Sequence, residues 1–262
     1  MEKPEELRVP ETPEEKAAEE LSDFGLQAIP ENIKVVLALQ ATRQHPEGFQ
    51  KTAASDSLDE VKRTMEENEI KRFVHAEGPY LWTHCRAALK AVDFLDIPAD
   101  KKEDLKLIML YHDFGKTSEE LYKRKTVGEV QKKELKRGKL YRVAMGHASE
   151  KLPEIKAGFK ANGILGRKLD IFMLVVENHM ETSLPDMSGP KLVKLFEKFG
   201  KTDEERKEVA ELLMLAVKAD SRATLNIDLK ENGEISPVMK NNWTGLDFDK
   251  IWQRYQEARK GL

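Results

Sequence analysis

Apolar residues recur along the chain at helical spacing in one stretch after another, and short polar, proline- or glycine-containing breaks separate the stretches. Residues 32–44 and the charged run 57–74 read as helices, and residues 82–95 read as a third after the Gly78-Pro79 break. Between Asp104 and Asp113 the chain is apolar on nearly every side, the pattern of a helix at the centre of a bundle. Residues 167–180, 190–200 and 205–220 continue the period, the last two separated by a break at Gly200, and residues 243–260 predict a C-terminal helix. The run 139–145, KLYRVAM, allows a short extended segment that is too short to set the class. The expected fold class is an all-α helical bundle.

The same pattern divides the chain. Residues 1–20 hold few large apolar side chains and are expected to form an acidic mobile leader. Residues 21–69 should supply helices packed on the core, residues 70–225 the core, and residues 226–262 a C-terminal extension with one helix. A chain of 262 residues can bury a sizeable core unaided. Its formal charge of -3, from 44 basic and 47 acidic residues, does not mark a generally basic nucleic-acid binder. Cys85 is the only cysteine, so no disulfide can form within the chain and no Cys-based zinc site is available. No run approaches the ~18 apolar residues of a membrane span, and the start lacks an apolar targeting region. A soluble cytoplasmic protein is expected.

Four of the six histidines fall where the helical period points them at the core: His84, His112, His147 and His179. His84 shares a face with Ala88, Ala91 and Leu95; His179 with Ile171, Phe172 and Val175; Asp220 with Leu213, Ala216 and Val217. Burying a neutral polar group without a partner costs roughly 2 to 7 kcal/mol, so separate burial of these groups would be expensive, and a shared cation removes most of that cost. Asp113 follows His112 about 100° further round the central helix, which lets the pair address one point from two directions. Imidazole with carboxylate suits manganese, iron, cobalt, nickel or zinc, and magnesium if water completes the shell. The expected ligands are His84, His112, Asp113, His147, His179 and Asp220, around one ion or two bridged by Asp113. His45 and His75 fit no such face and read as surface or loop residues.

A histidine, a later His112-Asp113 pair and a distant aspartate resemble the pattern of the HD superfamily of metal-dependent phosphohydrolases, over roughly residues 70 to 225. The order HDFGK, GKLYRVAMGHASE, VVENHM, PKLVKLF and KADSRA is similar to the HD domain attached to bacterial tRNA nucleotidyltransferases and to some RNA-end-repair polynucleotide kinases. The resemblance implies an HD-domain bundle that hydrolyses phosphate esters, with 2′,3′-cyclic phosphates, 2′-phosphates and related nucleotide monoesters as substrates. Neither a GxxxxGK[ST] loop nor a polymerase-type carboxylate motif is seen, so the phosphohydrolase is expected to stand alone.

In that chemistry metal-activated water attacks phosphorus, with Asp113 and Lys116 as catalytic residues. Lys116, one turn past His112, can meet a substrate phosphate as a point charge, and Arg222 can pair with it bidentately. The basic segment from Tyr122 to Arg142 lies between two proposed ligands and can guide an RNA end, although such runs are usually solvated surface. Competing readings are a 5′-nucleotidase acting on free mononucleotides and a non-catalytic HD module that binds a nucleotide.

Overall fold

The computed structural model describes residues 12–42, 72–75, 80–118, 146–181, 184–223, 225–229, 235–239 and 247–261. Nine α-helices are seen among them: α1 (Pro13–Asp23), α2 (Pro30–Ala41), α3 (Leu81–Asp93), α4 (Ala99–Tyr111), α5 (Leu152–Ala161), α6 (Gly166–Asn178), α7 (Gly189–Phe196), α8 (Asp203–Arg222) and α9 (Phe248–Lys260). Short 3-10 turns at Phe114–Thr117 and His147–Ser149 connect the bundle where the candidate ligands lie.

The bundle is all-α, and α4 is its axis. Leu105 and every residue from Leu107 to Tyr111 are buried, as the all-round apolar pattern predicted, because α2, α3, α6 and α8 each pack against this helix. Truncating one such leucine to alanine removes about 2–5 kcal/mol. Tyr111, the last residue of α4, takes its hydroxyl into the core, where it donates to Asn32 Oδ1 at 2.8 Å. Asn32 donates in turn to the Gln27 carbonyl at 2.7 Å and to Asn162 Oδ1 at 2.9 Å, so three elements meet on satisfied polar groups. Gly158 makes this possible, since a Cβ there would stand 2.3 Å from the Tyr111 hydroxyl. A second cluster joins α7 to α9 through Phe196, Phe199, Trp252 and Tyr255.

Three expectations change. The leader boundary at residue 20 moves to Thr12, because α1 already runs from Pro13 behind a reciprocal Thr12–Glu15 capping box, with Ala17 and Leu21 forming a one-turn buried stripe. The helix expected to reach Val74 gives way to strand β1 (Arg72–His75), which also carries His75. The C-terminal extension holds two further strands, β2 (Leu225–Leu229) and β3 (Ile235–Met239), before its helix. They form one antiparallel sheet in the order β1-β2-β3, with Phe73 opposite Ile227 and Ile227 opposite Pro237. Pairing between positions about 150 apart leaves no local periodic trace, whereas Asn232-Gly233 between β2 and β3 is a hairpin signal that was available. Pro237 sits on an edge strand, the place in a sheet that tolerates a missing donor.

His45, the segment 139–145 and the basic segment 122–142 lie outside the described residues, as do residues 57–71 of the charged run. No helix among the described residues is long and apolar enough to cross a membrane.

Candidate metal centre

Each candidate ligand is delivered by a local feature of the sequence. His84 is on the buried face of α3 with Ala88 and Ala91. His112 caps the C-terminus of α4, and the chain then tightens into the Phe114–Thr117 turn with Asp113 as its first flanking residue. His147 opens the His147–Ser149 turn after Gly146, whose φ of 80° suits glycine. His179 caps the C-terminus of α6, and Asp220 lies in the last turn of α8. Gly115 of the HDFGK run is required by close approach: a Cβ there would fall 2.0 Å from the His147 carbonyl oxygen, so only glycine lets the two turns meet.

All six side chains converge, in two groups. In the first, His84 Nε2 stands 3.1 Å from His112 Nε2 and 2.9 Å from Asp220 Oδ1, with His112 Nε2 3.6 Å from the same oxygen. In the second, His147 Nε2 stands 3.0 Å from His179 Nε2 and 3.0 Å from Asp113 Oδ1, with His179 Nε2 3.6 Å from that oxygen. Asp113 joins them, because its other oxygen, Oδ2, is 3.5 Å from both His84 Nε2 and His112 Nε2. The four histidines and Asp113 are buried, and the Asp220 side chain is 16% exposed.

These residues fit divalent ions on two grounds. Ligand atoms each ~2.1 Å from one ion, spaced between right-angle and tetrahedral, stand about 3.0–3.4 Å apart, and the spacings within each triad run from 2.9 to 3.6 Å. The second ground is the tautomer. His112 Nδ1 is 2.7 Å from the Met109 carbonyl and His179 Nδ1 2.6 Å from the Val176 carbonyl. A carbonyl only accepts, so Nδ1 carries the proton and a neutral ring turns a bare Nε2 lone pair toward the other ligands. The fixed lone pairs, on His112 Nε2 and His179 Nε2, face the carboxylate oxygens Asp220 Oδ1 and Asp113 Oδ1 at 3.6 Å, and a cation between them would satisfy both partners. The two carbonyls, each three residues before its histidine at a helix end, are the orienting outer shell of such a site.

Burial pushes the Asp113 carboxyl upward, but the Lys116 ammonium beside it holds it well below the usual carboxylate range. For Asp220 burial again acts upward and is outweighed by the His112 and His84 imidazoles beside it. Both carboxyls are thereby shifted toward the charged form that ligates a cation.

Lys116, expected at the substrate phosphate, is itself largely buried and places its ammonium 2.7 Å from Asp113 Oδ2. Arg222, expected to pair with the substrate phosphate, is two residues past Asp220. It lies about 200° round α8 from Asp220, and its guanidinium covers the ring of Phe94, 4.6 Å from the centroid. Sequence reasoning missed the two orienting carbonyls, the contact between Gly115 and His147, and Lys151, whose ammonium donates to Thr117 Oγ1 at 2.7 Å. A histidine at a helix C-terminus could have pointed to the carbonyls; the other contacts are made across 32 and 34 residues and leave no local signal.

Comparison with family models, with curated proteins and with solved structures returned no match, so the meaning of the centre rests on two His/Asp triads, with Asp113 of the second also facing the histidines of the first.

Proposed function

We propose that this chain is a metal-dependent phosphohydrolase of the HD type, cleaving phosphate esters of nucleotides or RNA ends, with 2′,3′-cyclic phosphates and 2′-phosphates favoured. The observation that carries the reading is Asp113, buried and placed with one oxygen toward each triad. His84, His112 and Asp220 would hold one ion, His147 and His179 the other, and Asp113 would bridge them. Divalent ions of the manganese, iron, cobalt, nickel, zinc or magnesium class would supply Lewis acidity toward phosphoryl oxygens and a water acidified toward neutral pH. A shared carboxylate with histidine on both sides suits in-line attack on phosphorus, where the attacking and leaving oxygens both need charge stabilised.

The chain's own groups do the rest. The Met109 and Val176 carbonyls fix two imidazoles with Nε2 inward. Lys116 holds Asp113 ionised and offers a compact positive charge beside it, where a phosphoryl oxygen of the substrate arrives. The low-dielectric surroundings of buried side chains strengthen each of these interactions. Lys116 and Asp113 are the proposed catalytic residues, working in a cytoplasmic enzyme whose partner is the phosphorylated nucleotide or RNA end itself.

Elemental analysis of the wild type and Asp113→Ala, paired with hydrolysis of bis-p-nitrophenyl phosphate, 2′,3′-cyclic AMP and 5′-AMP in added manganese, tests the reading. The wild type should hold two equivalents, one per triad, and prefer the cyclic substrate; Asp113→Ala should lose both ions and the activity. A preference for 5′-AMP makes the protein a nucleotidase instead. A wild type that cannot be charged with metal overturns the proposal.

A further inference from the structure

Among the described residues Lys151 is the only non-glycine with positive φ, at 53°, and with ψ at 23° it lies in the left-handed region. L side chains avoid that conformation, which persists where the surroundings over-determine it, often beside a functional site. Here the surroundings are specific. The Lys151 ammonium donates to Thr117 Oγ1 at 2.7 Å and stands 4.7 Å from the centroid of the Phe114 ring. Thr117 Oγ1 donates to the Phe114 carbonyl at 2.8 Å, which fixes the acceptor in place. The Lys151 carbonyl accepts from Ile155 N at 3.0 Å, and that bond opens α5.

One strained residue thus ties the start of α5 to the Phe114–Thr117 turn. These are the two stretches of chain that present Asp113 and His147. His147 lies four positions before Lys151, and its own turn closes with Glu150 N donating to the His147 carbonyl at 2.9 Å. Against that same carbonyl Gly115 makes its close approach. The clasp therefore acts where backbone geometry alone leaves the spacing of two ligands to a contact between turns.

We propose that Lys151 is the positioning residue of the second triad: its ammonium clasps the two turns together and sets His147 Nε2 against Asp113 Oδ1, while the first triad is set by α3, α4 and α8. The inference rests on the two-ion reading of the centre. It assigns the residue an effect on one ion and not on the other, which a general role in folding would not have.

The test uses the full chain, stripped by chelation and titrated with manganese or zinc, with stoichiometry and affinity read by calorimetry and elemental analysis. The wild type should take two equivalents. Lys151→Met should keep one at wild-type affinity and bind the second about tenfold or more weakly, the scale seen when groups that orient metal ligands are removed, with an unchanged far-ultraviolet circular dichroism spectrum. Thr117→Val, which deletes the acceptor, and Lys151→Gly, which relieves the backbone but removes the ammonium, should show the same selective loss. Two equivalents at wild-type affinity in Lys151→Met overturn the clasp, as does loss of both together from a folded Lys151→Met. If Lys151→Met does not fold, Thr117→Val decides by the same two criteria. A wild type that takes one equivalent or none removes the two-ion reading itself, an outcome visible before any variant is made.

Discussion

The two triads are chemically alike and are built in different ways. His84, His112 and Asp220 come from α3, the end of α4 and α8, regular helices of 13, 13 and 20 residues whose packing also makes the core. Asp113, one residue past the cap of α4, and His147 flank or open short turns that are brought together by Gly115 at the His147 carbonyl and by the Lys151 clasp, and His179 caps α6. Helices deliver ligands through a period of 3.6 residues and many apolar contacts. Turns deliver them through a few close approaches, each of which one side chain can disturb. The first triad should therefore share its fate with the bundle, and the second should be sensitive to local changes that leave the bundle intact.

Ligand deletion gives the largest expected effect on this comparison. On the proposed two-ion hydrolase reading, His84→Ala and His147→Ala should each lose one equivalent of metal and lower hydrolysis by about 10²–10³-fold, the range for deleting one charge-stabilising group. The variants should differ in backbone behaviour. Amide exchange should rise in His147→Ala around residues 146–151, where few helical hydrogen bonds hold the chain, and stay at wild-type rates in α3 and α4 of His84→Ala. Loss of both equivalents from either variant would break the division into two sites.

How much of this was legible in the sequence follows the same line. The central helix announced itself through the apolar run before His112, and the faces of His84, His179 and Asp220 followed from helical spacing, so the helical bundle and the list of converging residues were readable. Three things were not. The partition into triads depends on which Asp113 oxygen faces which histidine, a matter of rotamers at a helix end. The seat of the Arg222 guanidinium over Phe94 depends on a partner 128 positions away. The clasp and the sheet depend on partners 34 and about 150 positions away, which a periodic pattern does not encode.

Gly115→Ala sharpens the comparison at intermediate size. Its Cβ would meet the His147 carbonyl oxygen at 2.0 Å and carbon at 3.0 Å, both backbone atoms, so the turns must move apart. Forcing an extra methyl into packed surroundings costs typically about 1–3 kcal/mol, read as a lower midpoint in denaturant. The displaced group carries His147, so the second equivalent of metal should weaken while the first is retained. Gly115→Ala with both affinities at wild-type values would show that the second triad tolerates more backbone movement than its construction implies.

The smallest effect is expected at the far end of α8, where a change should touch stability and leave both ions alone. Thr202 and Glu205 form a reciprocal capping box, with Glu205 N donating to Thr202 Oγ1 at 3.2 Å and Thr202 N donating to Glu205 Oε2 at 3.2 Å, and Lys201 N adds a third bond to Glu205 Oε2 at 2.6 Å. Thr202→Ala should cost about 1 kcal/mol. Hydrogen bonds from the Lys201 and Thr202 backbone lower the Glu205 carboxyl from its ordinary value of 4.5. A carboxyl held below its unfolded value stabilises the fold above that value, and the contribution fades as pH falls through the folded value. The midpoint difference between wild type and Glu205→Gln should therefore be full at neutral pH and shrink below pH 4.5. Asp220 sits at the other end of this 20-residue helix, on the order of 25 Å away at 1.5 Å per residue, and is fixed there by packing against α3. If Thr202→Ala weakens the first ion, the helical triad is held by the whole length of α8 rather than by its last turns, and the contrast with the turn-built triad narrows.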